Sequence, residues 1–126
     1  MKTKVLEKSA AEAKPCTARL AAIEDTLYVI GGKWKLKIII ALREEGALRF
    51  NELQRTIIGI SARVLSNELK ELEMNGFIKR EVYASTPVVV EYQLTVYSKT
   101  LQHVLNAMVE WGMAHRSKIR SDAKKR

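Results

Sequence analysis

The sequence predicts a mainly α-helical fold with a small β-hairpin, a winged helix-turn-helix, and three observations lead there. A short helical segment, Phe50-Asn51-Glu52-Leu53-Gln54-Arg55-Thr56-Ile57, is broken by Ile58-Gly59-Ile60. A longer helix opens at Ser61 and runs to Asn75-Gly76. Two alternating β-rich runs follow, joined around Pro87. A Gly-containing turn between two helices is the mark of a helix-turn-helix, and the hairpin behind it is placed as a wing. Such an arrangement serves to lay one exposed helix in a DNA major groove.

Each element has its own local cause. Residues 1–14 are polar and lack an apolar anchor, which predicts a flexible arm. Pro15 and Thr17 mark the start of a first helix, in which Leu20, Ile23, Leu27 and Ile30 recur at helical spacing to form one stripe. Gly31-Gly32 stops it, because glycine accepts the left-handed conformation after a last turn. A second helix is expected over 33–45. Its centre, Ile38-Ile39-Ile40-Ala41-Leu42, is apolar on every face, which implies burial all round. Gly46 ends it, and Leu48-Arg49-Phe50 is placed to add a short edge strand.

In the helix from Ser61, at about 100° per residue, Leu65, Leu69 and Leu72 share one narrow sector. Arg63, Asn67 and Lys70 point the other way. Ser61 suits the N-cap, where its hydroxyl accepts from an orphan amide. After Gly76 come Phe77-Ile78-Lys79-Arg80-Glu81-Val82-Tyr83 and Val89-Val90-Glu91-Tyr92-Gln93-Leu94, with Pro87 confined to the loop because it cannot donate to a ladder. Thr95 is expected to cap a last long helix whose Leu101, Val104, Leu105, Met108, Val109 and Trp111 make a wide apolar stripe. That stripe either packs within the monomer or meets a second copy. The dimer reading is the one taken here, with Leu20, Ile23, Leu27, Leu101, Leu105, Met108 and Trp111 at the interface.

Charge gives milder guidance. The chain carries +8 over its 126 residues, but six Lys/Arg against one Asp lie in 116–126 and four Lys against two Glu in 1–14. The body between them is nearly balanced. Basic ends attract phosphate without regard to sequence, and they also serve as plain solubilising tails. The expected division is therefore an arm over 1–14, a winged domain with dimerisation helices over 15–115, and a basic flexible tail over 116–126. No apolar run approaches the roughly 18 residues of a membrane span, and the amino terminus does not read as a secretory signal. One cysteine excludes an internal disulfide framework. These features together read as cytoplasmic.

The side chains suited to DNA lie on or beside the helix from Ser61. Arg63 can grip guanine O6 and N7, and Asn67 can pair with adenine N6 and N7. Ser61 and Ser66 reach phosphate or base edges, and Lys70 extends the same face. Arg49, Asn51 and Lys79 fit backbone contacts better than base reading. The plain alternative for such a face is ordinary solvation, and its place between a turn and a hairpin decides against that. No Gly-rich phosphate loop, nucleophile–base pair or paired-carboxylate set occurs, so neither an enzyme nor a cofactor is expected. His103 and His115 lie too far apart to suggest a metal site, and Trp34 and Trp111 suit core or interface anchors. Cys16 leaves two readings open. It is an inert thiol, or its place ahead of a helix beside Lys14 and Arg19 favours thiolate chemistry.

Over residues 16–112 the sequence resembles the HxlR-type winged helix-turn-helix transcriptional regulators, relatives of the MarR group. The resemblance rests on Cys16, Ile30-Gly31-Gly32-Lys33-Trp34, Arg49-Phe50-Asn51-Glu52-Leu53, and Gly59-Ile60-Ser61 with Val64-Leu65. It continues through Leu69, Leu72-Glu73, Asn75-Gly76-Phe77-Ile78, Arg80, Tyr83, Val90-Glu91-Tyr92 and Leu94-Thr95. It implies a homodimer assembled through its terminal helices, a recognition helix in the major groove of double-stranded DNA, and a wing on the flanking backbone. It also implies that some members sense electrophiles or oxidants through a cysteine at the place of Cys16. Two departures stand out. Val88-Val89 follow Pro87 where the family commonly has a basic residue, and Leu94-Thr95-Val96-Tyr97-Ser98 replaces Leu-Thr-Pro-Leu-Gly. The expected function is that of a homodimeric, sequence-specific regulator on a pseudo-palindromic operator. The alternative is a small protein-interaction module, which would more often expose aromatic or aliphatic side chains at Arg63, Asn67 and Lys70.

Overall fold

The computed structural model describes residues 15–125. The arm over 1–14 expected from the sequence lies outside the described residues. Helices α1 (Pro15–Ile30) and α2 (Lys35–Glu45) lead into strand β1 (Leu48–Arg49). Helices α3 (Phe50–Thr56) and α4 (Ala62–Met74) follow, then strands β2 (Ile78–Tyr83) and β3 (Val89–Leu94). A 3-10 turn (Tyr97–Leu101) runs into α5 (Gln102–Lys124). The antiparallel sheet has the order β1-β3-β2, so β3 is central and β1 closes its free edge. Leu48 pairs with Tyr92, while β2 and β3 pair from Ile78↔Leu94 to Tyr83↔Val89.

The core forms where the two chain periodicities converge. Ile38, Ile39 and Leu42 of α2 meet Leu53 of α3, Leu65, Leu69 and Leu72 of α4, and Ile78 of β2, all buried. Both ends of α4 are closed by specific devices. The Ser61 hydroxyl accepts from the Val64 N–H at 3.1 Å, as its N-cap position requires. At the other end of α4, Gly76 takes φ +83°. The Gly76 N–H donates to the Glu73 carbonyl and the Phe77 N–H to the Leu72 carbonyl, both at 3.0 Å. This is a Schellman stop, and it aims the chain directly into the first wing strand.

Three expectations are corrected. Leu105 is 2% exposed and belongs to the monomer core, and Leu101 packs against that core as well, so neither lies on the free surface. A stripe at helical spacing looks the same whether it meets its own body or another chain. Thr95 does not cap the long helix. Its hydroxyl donates to the Gly76 carbonyl at 2.6 Å and accepts from the Ser98 N–H at 3.3 Å, which starts the 3-10 turn instead. The basic segment over 116–126 is helical through Lys124, not a flexible tail. It lacks Pro and Gly, and cations near a helix C-terminus oppose the negative end of the macrodipole. Lys118 and Asp122 form an i,i+4 pair there at 2.7 Å.

One charged contact crosses the core seam. Lys35, only 7% exposed, reaches from α2 to α4. Its Nζ lies 2.9 Å from Glu68 Oε1 and 2.7 Å from Glu71 Oε1. Burial alone lowers the ammonium's pKa, but the bonds and charges of Glu68 and Glu71 outweigh it and leave the value raised above 10.5. Lys35→Met leaves the half-buried Glu68 without its partner, so it should cost about 2 kcal/mol at neutral pH, read from urea midpoints. A raised folded pKa contributes stability in full below the unfolded value and loses it as pH rises through the folded one. The gap between wild type and variant should therefore narrow above pH 10.5. A gap that stays constant through that range would refute the assignment.

Candidate nucleic-acid interface

The helix-turn-helix is built around a turn pinned from below. Ile57 and Ile60 are buried while Ile58 between them stands 89% exposed, so the two flanking isoleucines anchor the turn and the middle one does not. Gly59 takes φ +90°, a conformation that side chains rarely adopt. The Ile60 N–H closes back on the Ile57 carbonyl at 3.3 Å. At the start of α3, the Arg49 N–H donates to Glu52 Oε1 at 2.8 Å, satisfying an amide that the helix leaves open.

With Leu65, Leu69 and Leu72 turned inward, α4 presents Ser61, Arg63, Asn67 and Lys70 to solvent, and Ser66 is half-buried at the edge of that face. Among the described residues, no hydrogen bond or ion pair engages the side chains of Arg63, Ser66, Asn67 or Lys70. The Ser61 oxygen is already an acceptor in its cap, which leaves its O–H as the group it can offer. Free donors on one rigid face are what base-edge recognition requires.

The surrounding cations are less uniform. Asn51 is exposed on the first turn of α3. Arg49 is exposed too, but its register partner is Glu91, which on the other side faces Glu81. Like charges directly opposite in a ladder are unfavourable, so Arg49 has a local partner to offset as well as a phosphate to meet. Lys79 lies 3.8 Å from Glu81, a loose and exposed pair. The loop over 84–88 carries no cation, and Val82, Tyr83 and Val88 are exposed at the wing tip.

Two cations missed by sequence reasoning sit beside the turn. Lys33 Nζ lies 4.8 Å and Lys37 Nζ 5.0 Å from the centre of the Trp34 ring. A Cβ at Gly59 would lie 3.9 Å from the same ring, so Trp34 backs the turn itself. Both lysines are exposed. The Lys-Trp-x-x-Lys spacing was the available signal, because it puts both cations within reach of one aromatic face.

The terminal helices expose what the core does not take. Leu20, Ile23, Leu27 and Tyr28 on α1, and Met108, Val109 and Trp111 on α5, are all exposed. Trp111 stacks on His115 with ring centres 4.9 Å apart. Cys16 is exposed on the first turn of α1. Lys14, its expected neighbour, lies outside the described residues. Among the described residues no helix is long and apolar enough to cross a membrane.

Comparisons with known proteins agree with this geometry. The profile of HxlR-like helix-turn-helix proteins matches residues 29–120. An HTH-type transcriptional regulator of Halalkalibacterium halodurans is 46% identical over 92 residues, spanning 73% of this chain and 81% of that protein. The redox regulator HypR in its reduced form superimposes with a TM-score of 0.73 at 42% identity, covering 79% of this chain and 98% of the other. Its oxidised form gives 0.69 at 43% identity, covering 74% and 95%. Fold, element order and sequence converge, and the chain belongs to the HxlR-like helix-turn-helix family.

Proposed function

We propose that this protein is a sequence-specific DNA-binding transcriptional regulator, acting in the cytoplasm as a homodimer on a pseudo-palindromic operator. The observation that carries the reading is the outer face of α4. Arg63 and Asn67 stand exposed there without partners among the described residues, directly opposite three buried leucines. Arg63 reads guanine, Asn67 reads adenine, and Ser61, Ser66 and Lys70 contact the adjoining edges or phosphates. Arg49, Asn51, Lys79, Lys33 and Lys37 hold the backbone on either side. An interaction module without DNA binding is disfavoured, because this face offers hydrogen-bond donors and no apolar patch.

Selection of bound fragments from genomic DNA by the purified protein yields the operator, on which the roles separate. Arg63→Ala should cost about 1–3 kcal/mol on that site and relax base preference at one position. Equal losses on specific and random DNA would move Arg63 to a phosphate.

Dimerisation is supported by the apolar side chains that α1 and α5 leave in solvent, since such patches on both terminal helices are costly for a monomer. Two half-sites also need two reading heads at fixed spacing. Sedimentation at micromolar concentration should give about twice the 14.3 kDa chain mass. A monomer that still binds its operator tightly would overturn this.

A second reading concerns Cys16, favoured by its exposure on the first turn of a dimerisation helix and by the likeness to a redox regulator. A peroxide transfers one oxygen to the thiolate sulfur, giving a sulfenic acid and releasing water or an alcohol. A second thiol then displaces water to form a disulfide, either between subunits or with a small thiol. Operator binding titrated with peroxide should respond in wild type and not in Cys16→Ser. Superimposable curves would end the sensor reading.

A further inference from the structure

Lys35 sits where electrostatics disfavours it twice. It is the first residue of α2, and the positive end of a helix macrodipole repels a cation. It is also only 7% exposed, so its ammonium has given up most of its water. Against these costs stand its bonds to Glu68 Oε1 at 2.9 Å and Glu71 Oε1 at 2.7 Å. Buried ion clusters of this kind are often no more stabilising than apolar side chains of the same volume. Their best-attested use is to select one packing arrangement among several. The arrangement at stake here is the roll of α4 about its own axis.

Around α4, Leu65, Leu69 and Leu72 form the buried sector, and Arg63, Asn67 and Lys70 the exposed one. Glu68 and Glu71 share the flank between them, and Glu71 lies about 40° from Asn67 at 100° per residue. Lys35 therefore grips α4 between its anchor and its reading face. A roll of about 20° carries side-chain ends some 2 Å around a helix whose radius with side chains is about 5–6 Å. A binding constellation has to be held to about 0.5 Å. Apolar burial is non-directional, whereas charge-assisted hydrogen bonds weaken steeply when bent or stretched. The leucines supply the strength of the seam, and the two carboxylates supply its angle.

We propose that Lys35 is a positioning residue for base recognition, fixing the roll of α4 through Glu68 and Glu71 so that Arg63 and Asn67 meet the base edges in line. Buried at the seam, it acts through α4 and not on DNA directly. This role rests on the DNA-binding function proposed above. A wrong roll misaligns Arg63 and Asn67 together, so base preference relaxes at several positions at once, whereas Arg63→Ala relaxes one. Phosphate attraction is indifferent to sequence and survives the same displacement.

Affinities of the full-length protein for the selected operator and for a random duplex of equal length test this, together with melting temperatures. The proteins compared are wild type, Lys35→Met, and the triple variant Lys35→Met/Glu68→Gln/Glu71→Gln. The ratio of the two affinities is the readout, because a change in net charge shifts specific and random binding alike. Measurement at a temperature where every variant is folded keeps lost stability out of that ratio. Lys35→Met should lower it about tenfold or more, the worth of one bidentate base contact, with preference relaxed at several positions. The triple variant removes the carboxylates left unpaired, so its melting temperature should rise above that of Lys35→Met while the ratio stays low. Stability recovered without specificity is the mark of positioning, which a purely structural role does not produce. The role is overturned if the ratio is unchanged in both variants, if the triple variant restores it, or if preference relaxes at one position alone. A wild type that prefers its operator no more than random DNA would instead refute the DNA-binding function, and this role would fall with it.

Discussion

Leu65, Leu69 and Leu72 lose essentially all solvent contact where α4 lies on α2, and Lys35 spans the same seam to Glu68 and Glu71. Burying three leucines stabilises this seam by about 2 kcal/mol each before entropy is counted, well above the net worth of one partly exposed ion cluster. The hydrophobic contact therefore sets the strength of the seam. The ion cluster does something different, because leucines tolerate small rotations of a helix and a lysine held between two carboxylates does not. Since α4 carries its polar side chains opposite the leucines, fixing that rotation fixes which side chains face outward. The reading face depends on this seam more than on any residue of the face itself.

Most of this was legible in the sequence because local chemistry and tertiary need coincide there. Gly59 between buried isoleucines, the Ser61 cap, the leucine spacing of α4 and the glycine stop at Gly76 each point to one geometry, and the chain adopts it. The illegible parts share a different physics. Lys35 meets Glu68 across 33 residues, a contact that no local pattern encodes. Leu101 and Leu105 belong to a stripe whose spacing is indifferent to whose core it enters. Thr95 has the chemistry of a helix cap, but its hydroxyl is claimed by the Gly76 carbonyl once the hairpin closes. Segments that read locally as one thing were reassigned wherever a distant partner competed for the same group.

The wing and the turn divide the electrostatic work unequally. At the wing, Glu81 faces Glu91 across the ladder, Lys79 is drawn toward Glu81, and the loop has no cation. Arg80 of β2 is exposed, and with Lys79 it only balances Glu81 and Glu91, so the two wing strands sum to zero charge. Beside the turn, Lys33 and Lys37 flank Trp34, and Glu68 and Glu71 of α4 are both engaged by Lys35. The buried lysine thus has a second consequence. It offsets one of the two negative charges that Glu68 and Glu71 bring to α4, while Lys33 and Lys37 stand exposed over Trp34. A body that is nearly neutral in sum can in this way remain basic where it matters.

The last helix is packed on one side and open on the other. One side of α5 enters the monomer core through Leu105 and is tied to α2 by the Arg43–Asn106 bond, while Met108 and Trp111 stand in solvent. A helix used on both sides cannot move against a partner without moving against its own body. Packing cores respond to such displacement in discrete steps, because close-packed side chains do not deform continuously. The contacts of α5 pass to α2 through Leu105 and Arg43, and α2 is the element on which α4 is seated. Any displacement of α5 against the body therefore reaches the element under α4 through buried Leu105 and the exposed Arg43–Asn106 bond.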